Sequence, residues 1–240
     1  MRTAGRIVAE AHACVAEMIR PGIATEELDH FIRDFVQGRG GVLLFFNYEG
    51  FPANSCISIN DEVVHGIPSS KRFLEEQDIV SIDIGVGIGG FCGDSAWTYP
   101  VGEVRDNARR LLEICETSLM RGIDAVRVKN RVSDISRAIQ SYVEGEGRSV
   151  VKKYVGHGIG RRMHEPPQIP NYVERGILRQ DPVLEAGMVL AIEPMVNEGT
   201  DEVRTLSDDW TVVTADGKLS AHFEHSIAVT ADGPYVLSRL

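Results

Sequence analysis

Two aspartates, Asp83 and Asp94, flank a glycine-rich loop in SIDIGVGIGGFCGDS, residues 81–95. A β-rich run of Ile79, Val80, Ile82 and Ile84 leads into glycines at 85, 87, 89 and 90, and a second extended run leads to Asp94. Read as a hairpin that turns between Ile88 and Gly89, the stretch sets the two aspartates directly opposite each other on one face. Opposed Cβ atoms lie about 5 Å apart. Two unit charges at that separation and an effective dielectric of ~20 repel by about 3 kcal/mol. A shared proton or a bound cation removes that cost. Taken alone, the pair fits a solvated hairpin carrying two surface acids equally well.

The second half of the chain supplies partners. His157 follows the apolar-tending run SVVKKYV, at the expected end of a strand, and is flanked by Gly156 and Gly158. His164 comes seven residues later, ahead of Glu165-Pro166-Pro167. Glu193 ends the strand MVLAI and is pinned by Pro194. Glu224 lies in SAHFEHSIAV, on the same expected strand face as His222 and Ser226. Asp83, Asp94, Glu193 and Glu224 with His157 make an oxygen-rich set that suits Mn(II), Fe(II) or Co(II) better than a thiolate-rich zinc site would. Their carboxylates offset two divalent cations. A pair of metals ~3.5–4 Å apart holds a hydroxide and polarises a carbonyl, the arrangement of two-metal aminopeptidases. One motif points elsewhere: Gly85, Gly87 and Gly90 satisfy G-x-G-x-x-G after a strand. The dinucleotide fingerprint also needs a helix immediately afterwards, and FCGDSAWTYP has no helical stripe.

The elements that must position these groups alternate in blocks. Residues 3–19 carry Ile7, Val8, Ala11, Cys14, Val15, Met18 and Ile19 at helical spacing, before Pro21-Gly22. Thr25 is the expected N-cap of a second helix with the stripe Leu28, Phe31, Ile32, Phe35 and Val36. Strands and turns fill 42–101. A third helix is expected over 106–121, closed by Gly122, and a fourth capped by Ser133 and striped by Ile135, Ala138, Ile139, Tyr142 and Val143. Strands follow to the end. Helix–helix–strands therefore occurs twice, which predicts an α+β fold: an antiparallel sheet of two similar halves covered by two helix pairs, as one domain over 1–240.

The 240 residues are 43% hydrophobic, ample for a buried core. No apolar run approaches the ~18 residues of a membrane span. The N-terminus is charged throughout, and Cys14, Cys56, Cys92 and Cys115 are widely spaced, as in a reduced, cytoplasmic protein. A net charge of −10 argues against DNA or RNA as a partner. No coiled coil or long apolar face demands an oligomer, so a monomer is expected.

The set of ligands, in this order, resembles the methionine aminopeptidase family. VVHGIP (63–68), the Asp83/Asp94 pair, GHGIGRRMHEPPQI (156–169), IEPMVN (192–197) and SAHFEHSIAVT (220–230) look like its signature blocks and span nearly the whole chain. Only thirty residues separate Glu193 from Glu224, so the chain resembles the type 1, bacterial form, without the helical insertion of type 2 enzymes. The resemblance implies the pita-bread fold and removal of N-terminal methionine from nascent proteins and peptides, preferentially when the second residue is small. It implies two divalent metal ions, Co, Mn or Fe(II), with Zn and Ni as alternatives. Asp94 and Glu224 would bridge them, Asp83 would bind one, and His157 and Glu193 the other. A metal-bridged hydroxide would attack the first peptide carbonyl. Glu193 would shuttle the proton to the departing amine, His164 would stabilise the tetrahedral intermediate, and His65 would face the substrate beside it. Contact between the free amine and a metal would limit cleavage to one residue.

Phe45, Tyr48, Phe51, Cys56, Met163 and Trp210 match positions of the family's methionine pocket. Met163 stands where phenylalanine is common, and Phe45 and Arg162 replace smaller residues, either as compensating repacking of one wall or as a reshaped pocket. Some relatives are thought to dock transiently on the ribosome through a basic loop. The matching stretch 197–209, NEGTDEVRTLSDD, is acidic, which argues against docking by that route. Two rivals remain: an Xaa-Pro aminopeptidase or prolidase, which shares the five ligands but carries an added N-terminal domain, and a metal-free binding module, which would have lost ligands.

Overall fold

The computed structural model describes residues 1–173 and 181–240. Helix α1 (Arg2–Ala16) buries Ile7, Val8, Ala11 and Val15 on one stripe and stops three residues short of the expected end, in a turn ahead of Pro21. Helix α2 (Thr25–Gly38) buries Leu28, Ile32 and Val36. Its N-cap is Ala24 rather than Thr25: the Glu27 carboxylate accepts the Ala24 N–H at 3.1 Å, while the Thr25 hydroxyl donates to Ser69 O. A third-position glutamate serves as the cap acceptor, which frees threonine for a long-range bond.

Five strands follow: β1 (Val42–Leu43), β2 (Cys56–Ile59), β3 (Glu62–Val64), β4 (Ile79–Ile88) and β5 (Phe91–Pro100). β1 and β2 share one edge of β4 in tandem, and β5 pairs along the other edge. The β4–β5 hairpin turns at Gly89-Gly90, both at positive φ (59° and 76°). Asp83 therefore pairs with Ala96 and Asp94 with Gly85, so the aspartates are diagonal neighbours rather than directly opposed. A two-residue turn of this kind needs φ > 0 at both central positions, and Gly89-Gly90 supplies the adjacent glycines. As expected, a strand and not a helix follows the glycines.

In the second half, α3 (Asp106–Asp124) and α4 (Val132–Gly145) pack together. Gly122 lies inside α3 instead of closing it; a Cβ there would sit 2.9 Å from Ile139 Cδ1, so glycine lets the helices approach. Ser133 lies in the first turn of α4, with Arg131 as N-cap, and its N–H and hydroxyl bind Asp181. Strands β6 (Ser149–Val150), β7 (Gly156–Gly158), β8 (Glu165–Ile169), β9 (Val189–Ile192), β10 (Met195–Asn197), β11 (Val203–Thr205), β12 (Val212–Thr214), β13 (Ser220–His222), β14 (His225–Thr230) and β15 (Gly233–Val236) complete the chain. SVVKKYV is thus not one strand: the chain turns after Val150, and His157 occupies the middle of its own three-residue strand. The sheet order β15-β14-β9-β7-β8 carries His157 beside the end of β9, where Glu193 follows.

Each helix pair covers its own core. One gathers Leu28, Ile32, Ile57, Val80 and Ile82, the other Leu111, Ile114, Ile135, Ile139, Leu190 and Ile227. The halves are joined along β5. Ser95 Oγ donates to Glu224 O (2.6 Å) and Glu224 N–H to Ala96 O (2.8 Å). Ser226 Oγ accepts Asp94 N–H (3.0 Å) and donates to Asp94 O (2.8 Å). Thr98 Oγ1 bridges the backbone of His222 on both sides. These buried bonds across some 130 residues of sequence hold Asp94 beside Glu224.

Candidate metal centre

Asp83 and Asp94 project from β4 and β5, and Glu193 from the end of β9. Glu224 sits in the break between β13 and β14, not within one continuous strand. There Phe223 N–H reaches Pro194 O and Glu224 N–H reaches Ala96 O, so successive residues bond to different halves and the strand cannot run straight through. Ser226 turns away to the Asp94 backbone, while His222 and Glu224 face the site.

One oxygen or nitrogen from each of Asp94, His157 and Glu224 lies within 4.8 Å of the other two, and all three residues are buried. Asp83 and Asp94 are within hydrogen-bonding reach of each other. His157 Nδ1–H donates to Gly158 O at 2.9 Å, which leaves Nε2 with its lone pair facing Glu193 Oε1 at 3.5 Å. Lone pairs that face each other at this distance suit a proton or a cation placed between them.

Burial sets the electrostatics. Asp94 is pushed up to about 7, chiefly by desolvation. Asp83 is raised well above the usual carboxylate range by burial and by its neighbours Asp94 and Glu193. Glu193 and Glu224 are raised by burial and by the surrounding acids. Burial lowers His157 and His65 to about 4, so both imidazoles are neutral ligands or donors at neutral pH. Asp83 Oδ1, Asp94 Oδ1 and Glu224 Oε1 are buried with no hydrogen-bond partner. Unpaired buried acceptors of this kind are costly unless something positive satisfies them, and four carboxylates with a neutral imidazole are a hard, oxygen-rich donor set. The residues present fit divalent cations.

These acids form the floor of a pocket of about 200 Å3 whose walls are Phe45, Tyr48, Phe51, Cys56, Met163 and Trp210, with His65 and His164 beside the acids. It is small against the ~300–1,000 Å3 of pockets for drug-sized ligands, and admits a single side chain. The expected ligands, His65, His164 and the six expected wall residues all line it, whereas Arg162 does not and is exposed. Trp210 meets Phe51 edge to face at 5.1 Å and His65 at 6.2 Å. It is held by the acidic loop: Asp208 accepts Trp210 N–H at 3.0 Å and Thr211 N–H at 2.8 Å. Part of that loop's acidity therefore serves the pocket wall. Tyr48 Oη lies 2.6 Å from His164 Nδ1, and the His164 ring stands 4.2 Å from that of His157.

Glu49, Val64, Tyr154, Val155 and His222 also line the pocket, beyond those expected. Tyr154 and Val155 immediately precede Gly156-His157, so proximity to that histidine was an available signal. His222 stood on the face assigned to Glu224, which was a further one.

The family model described as Metallopeptidase family M24 matches residues 1–231. The Bacillus subtilis protein named methionine aminopeptidase 1 is 52% identical over 240 residues, covering 100% of this chain and 95% of that protein. The crystal structure of methionine aminopeptidase from Thermotoga maritima is similar at TM-score 0.96 and 40% identity, covering 100% of this chain and 95% of that one. Xaa-Pro dipeptidase from Bacillus anthracis shares the fold at TM-score 0.78 and 22% identity, with 59% of its length covered.

Proposed function

Because this chain belongs to metallopeptidase family M24, among the methionine aminopeptidases and with their pita-bread fold, we propose that it removes the N-terminal methionine of nascent proteins and peptides, preferentially before a small second residue. The observation that carries this reading is the cluster of unpaired, buried carboxylate oxygens at the floor of a pocket sized for one apolar side chain. Asp83, Asp94, His157, Glu193 and Glu224 would hold two divalent cations, with Mn, Fe(II) or Co preferred over Zn and Ni. When bound, the cations polarise the scissile carbonyl and lower the pKa of an attacking water.

The protein's own groups do the rest. Phe45, Phe51, Cys56, Met163 and Trp210 exclude water around the methionine side chain. With the Tyr48 hydroxyl, 2.6 Å from His164 Nδ1, acting as the donor, the imidazole proton sits on Nε2. Burial keeps His164 below the usual histidine pKa, so it acts as a neutral donor to the carbonyl oxygen as charge develops there. His65, packed edge-on against Trp210 and Tyr154, faces the same substrate atoms. Glu193 accepts the water's proton and returns it to the departing amine. Residues 1–240 act as one catalytic domain and as a monomer. None of the described helices is long and apolar enough to cross a membrane. The four cysteines are free, in keeping with action in the cytoplasm on newly made chains.

The test is cleavage of Met-Ala-Ser against Ala-Pro peptides and a Met-X-Ser series, run with Mn, Fe(II) and Co. Turnover of Met-Ala-Ser alone, falling as X grows, is the expected result. Cleavage of Ala-Pro peptides would select a prolidase-type enzyme, and no cleavage with any metal would refute the reading.

A further inference from the structure

His222 is 2% exposed and lines the pocket, and its Nε2 is buried without a hydrogen-bond partner. An imidazole ring carries at least one N–H, which Nε2 can hold. Glu193 Oε2 lies 3.8 Å from Nε2, beyond hydrogen-bond length but within reach of a small side-chain rotation. The other Glu193 oxygen, Oε1, faces His157 Nε2 at 3.5 Å. The two oxygens of one carboxylate are thus each directed at a different imidazole.

Both backbones that carry this pair are fixed. Thr98 Oγ1 binds His222 N–H and O, each at 2.8 Å. Asn171 Nδ2 donates to Glu193 O at 3.0 Å, and Met195 on β10 pairs with His222 on β13. Only the side chains are free to adjust.

We propose that His222 is a positioning residue for Glu193: its Nε2–H donates to Oε2, holding the carboxylate in one rotamer with Oε1 turned toward His157. This inference rests on the assignment of Glu193 to the metal and proton-shuttling site. The bond orients an acid that would otherwise rotate among several acceptors, and it satisfies a buried donor that is otherwise costly to leave unpaired. Outer-shell partners of metal ligands typically carry 10–100-fold in metal affinity or activity.

The experiment compares His222→Gln, which keeps an N–H donor at similar reach, with His222→Leu, which keeps bulk and removes the donor. Mn(II) affinity is measured by calorimetry, kcat and KM on Met-Ala-Ser separately, and folding by circular dichroism and Tm. The expected result is that His222→Leu binds Mn(II) about 10-fold more weakly. Its kcat should fall about 10-fold with KM within about twofold, while His222→Gln stays within about threefold of wild type in both. Wild-type behaviour of a folded His222→Leu overturns the proposal, as does a His222→Gln as damaged as His222→Leu. If His222→Leu does not fold, the Gln variant alone decides: retained Mn(II) affinity supports the donor role and its loss refutes it. Metal affinity is read without substrate, so a wild type that fails to cleave Met-Ala-Ser would refute the proposed activity and leave this test standing.

Discussion

Asp94→Asn should make the metal-free protein more stable and the metal-loaded protein less so. The Asp94 carboxyl is pushed from its ordinary 3.8 up to about 7 by burial. A folded-state pKa raised in this way leaves stability untouched below about pH 4 and diminishes it progressively as pH rises to 7. The gap of about 3 pH units corresponds to about 4 kcal/mol at pH 8. Asparagine cannot ionise and keeps an oxygen to accept the Ser95 N–H that Asp94 accepts. Allowing for a weaker bond there, the variant should gain about 2–3 kcal/mol in chelator, or roughly 5–10 °C in Tm for a protein of this size. Wild type at a metal concentration 100 times Kd should gain about 2.7 kcal/mol from binding, and the variant almost none of it. Thermal unfolding of both proteins at pH 8, in chelator and in Mn(II), would show the two Tm orders crossing. An Asn variant less stable than wild type in chelator, or one with an undiminished Mn(II) shift, would refute the account of a strained acid cluster held for a cation.

The same cluster makes metal-free stability fall as pH rises past the ordinary histidine range. Asp83, Glu193 and Glu224 are raised well above the ordinary carboxylate range, and each proton retained there that the unfolded chain has lost contributes a fall of about 1.4 kcal/mol per pH unit. The lowered histidines are neutral in both states there and do not offset it; chemical denaturation at three pH values in chelator checks this, and a flat profile counts against it. Tyr48→Phe keeps the pocket wall but frees His164 Nδ1, so kcat should drop by about 10-fold with little change in KM, in line with general acid–base groups worth 10²–10⁴ when lost outright. Asp208→Ala releases the Trp210 and Thr211 amides and should raise KM for Met-Ala-Ser several-fold while costing about 1–2 kcal/mol of stability; tryptophan fluorescence together with KM reports whether the wall has loosened. His164→Ala should lower kcat far more than Mn(II) affinity, and equal losses of both would place His164 among the ligands.

Residue type and short-range spacing determined much of this protein before any coordinates. The apolar stripes of the four helices, the strands around Asp83 and Asp94 and the proline-pinned Glu193 all follow from periodicities of a few residues, because helix and strand geometry is local. The hairpin register lay at the edge of that reach. The φ > 0 requirement at Gly89-Gly90 decides it, and a turn set one residue earlier moves Asp83 from Ala96 to Asp94 as partner. Cap and closure positions were misplaced where a distant group competes, as Ser69 does for Thr25, Asp181 for Ser133 and Ile139 for Gly122. Only the tertiary structure brought Asp94 to Glu224 through Ser95, Thr98 and Ser226, and only it revealed that His222 faces Glu193. Distances across 130 residues are set by which apolar faces bury each other. The raised carboxyl pKa values arise from that burial, so neither is written in the local pattern of the chain.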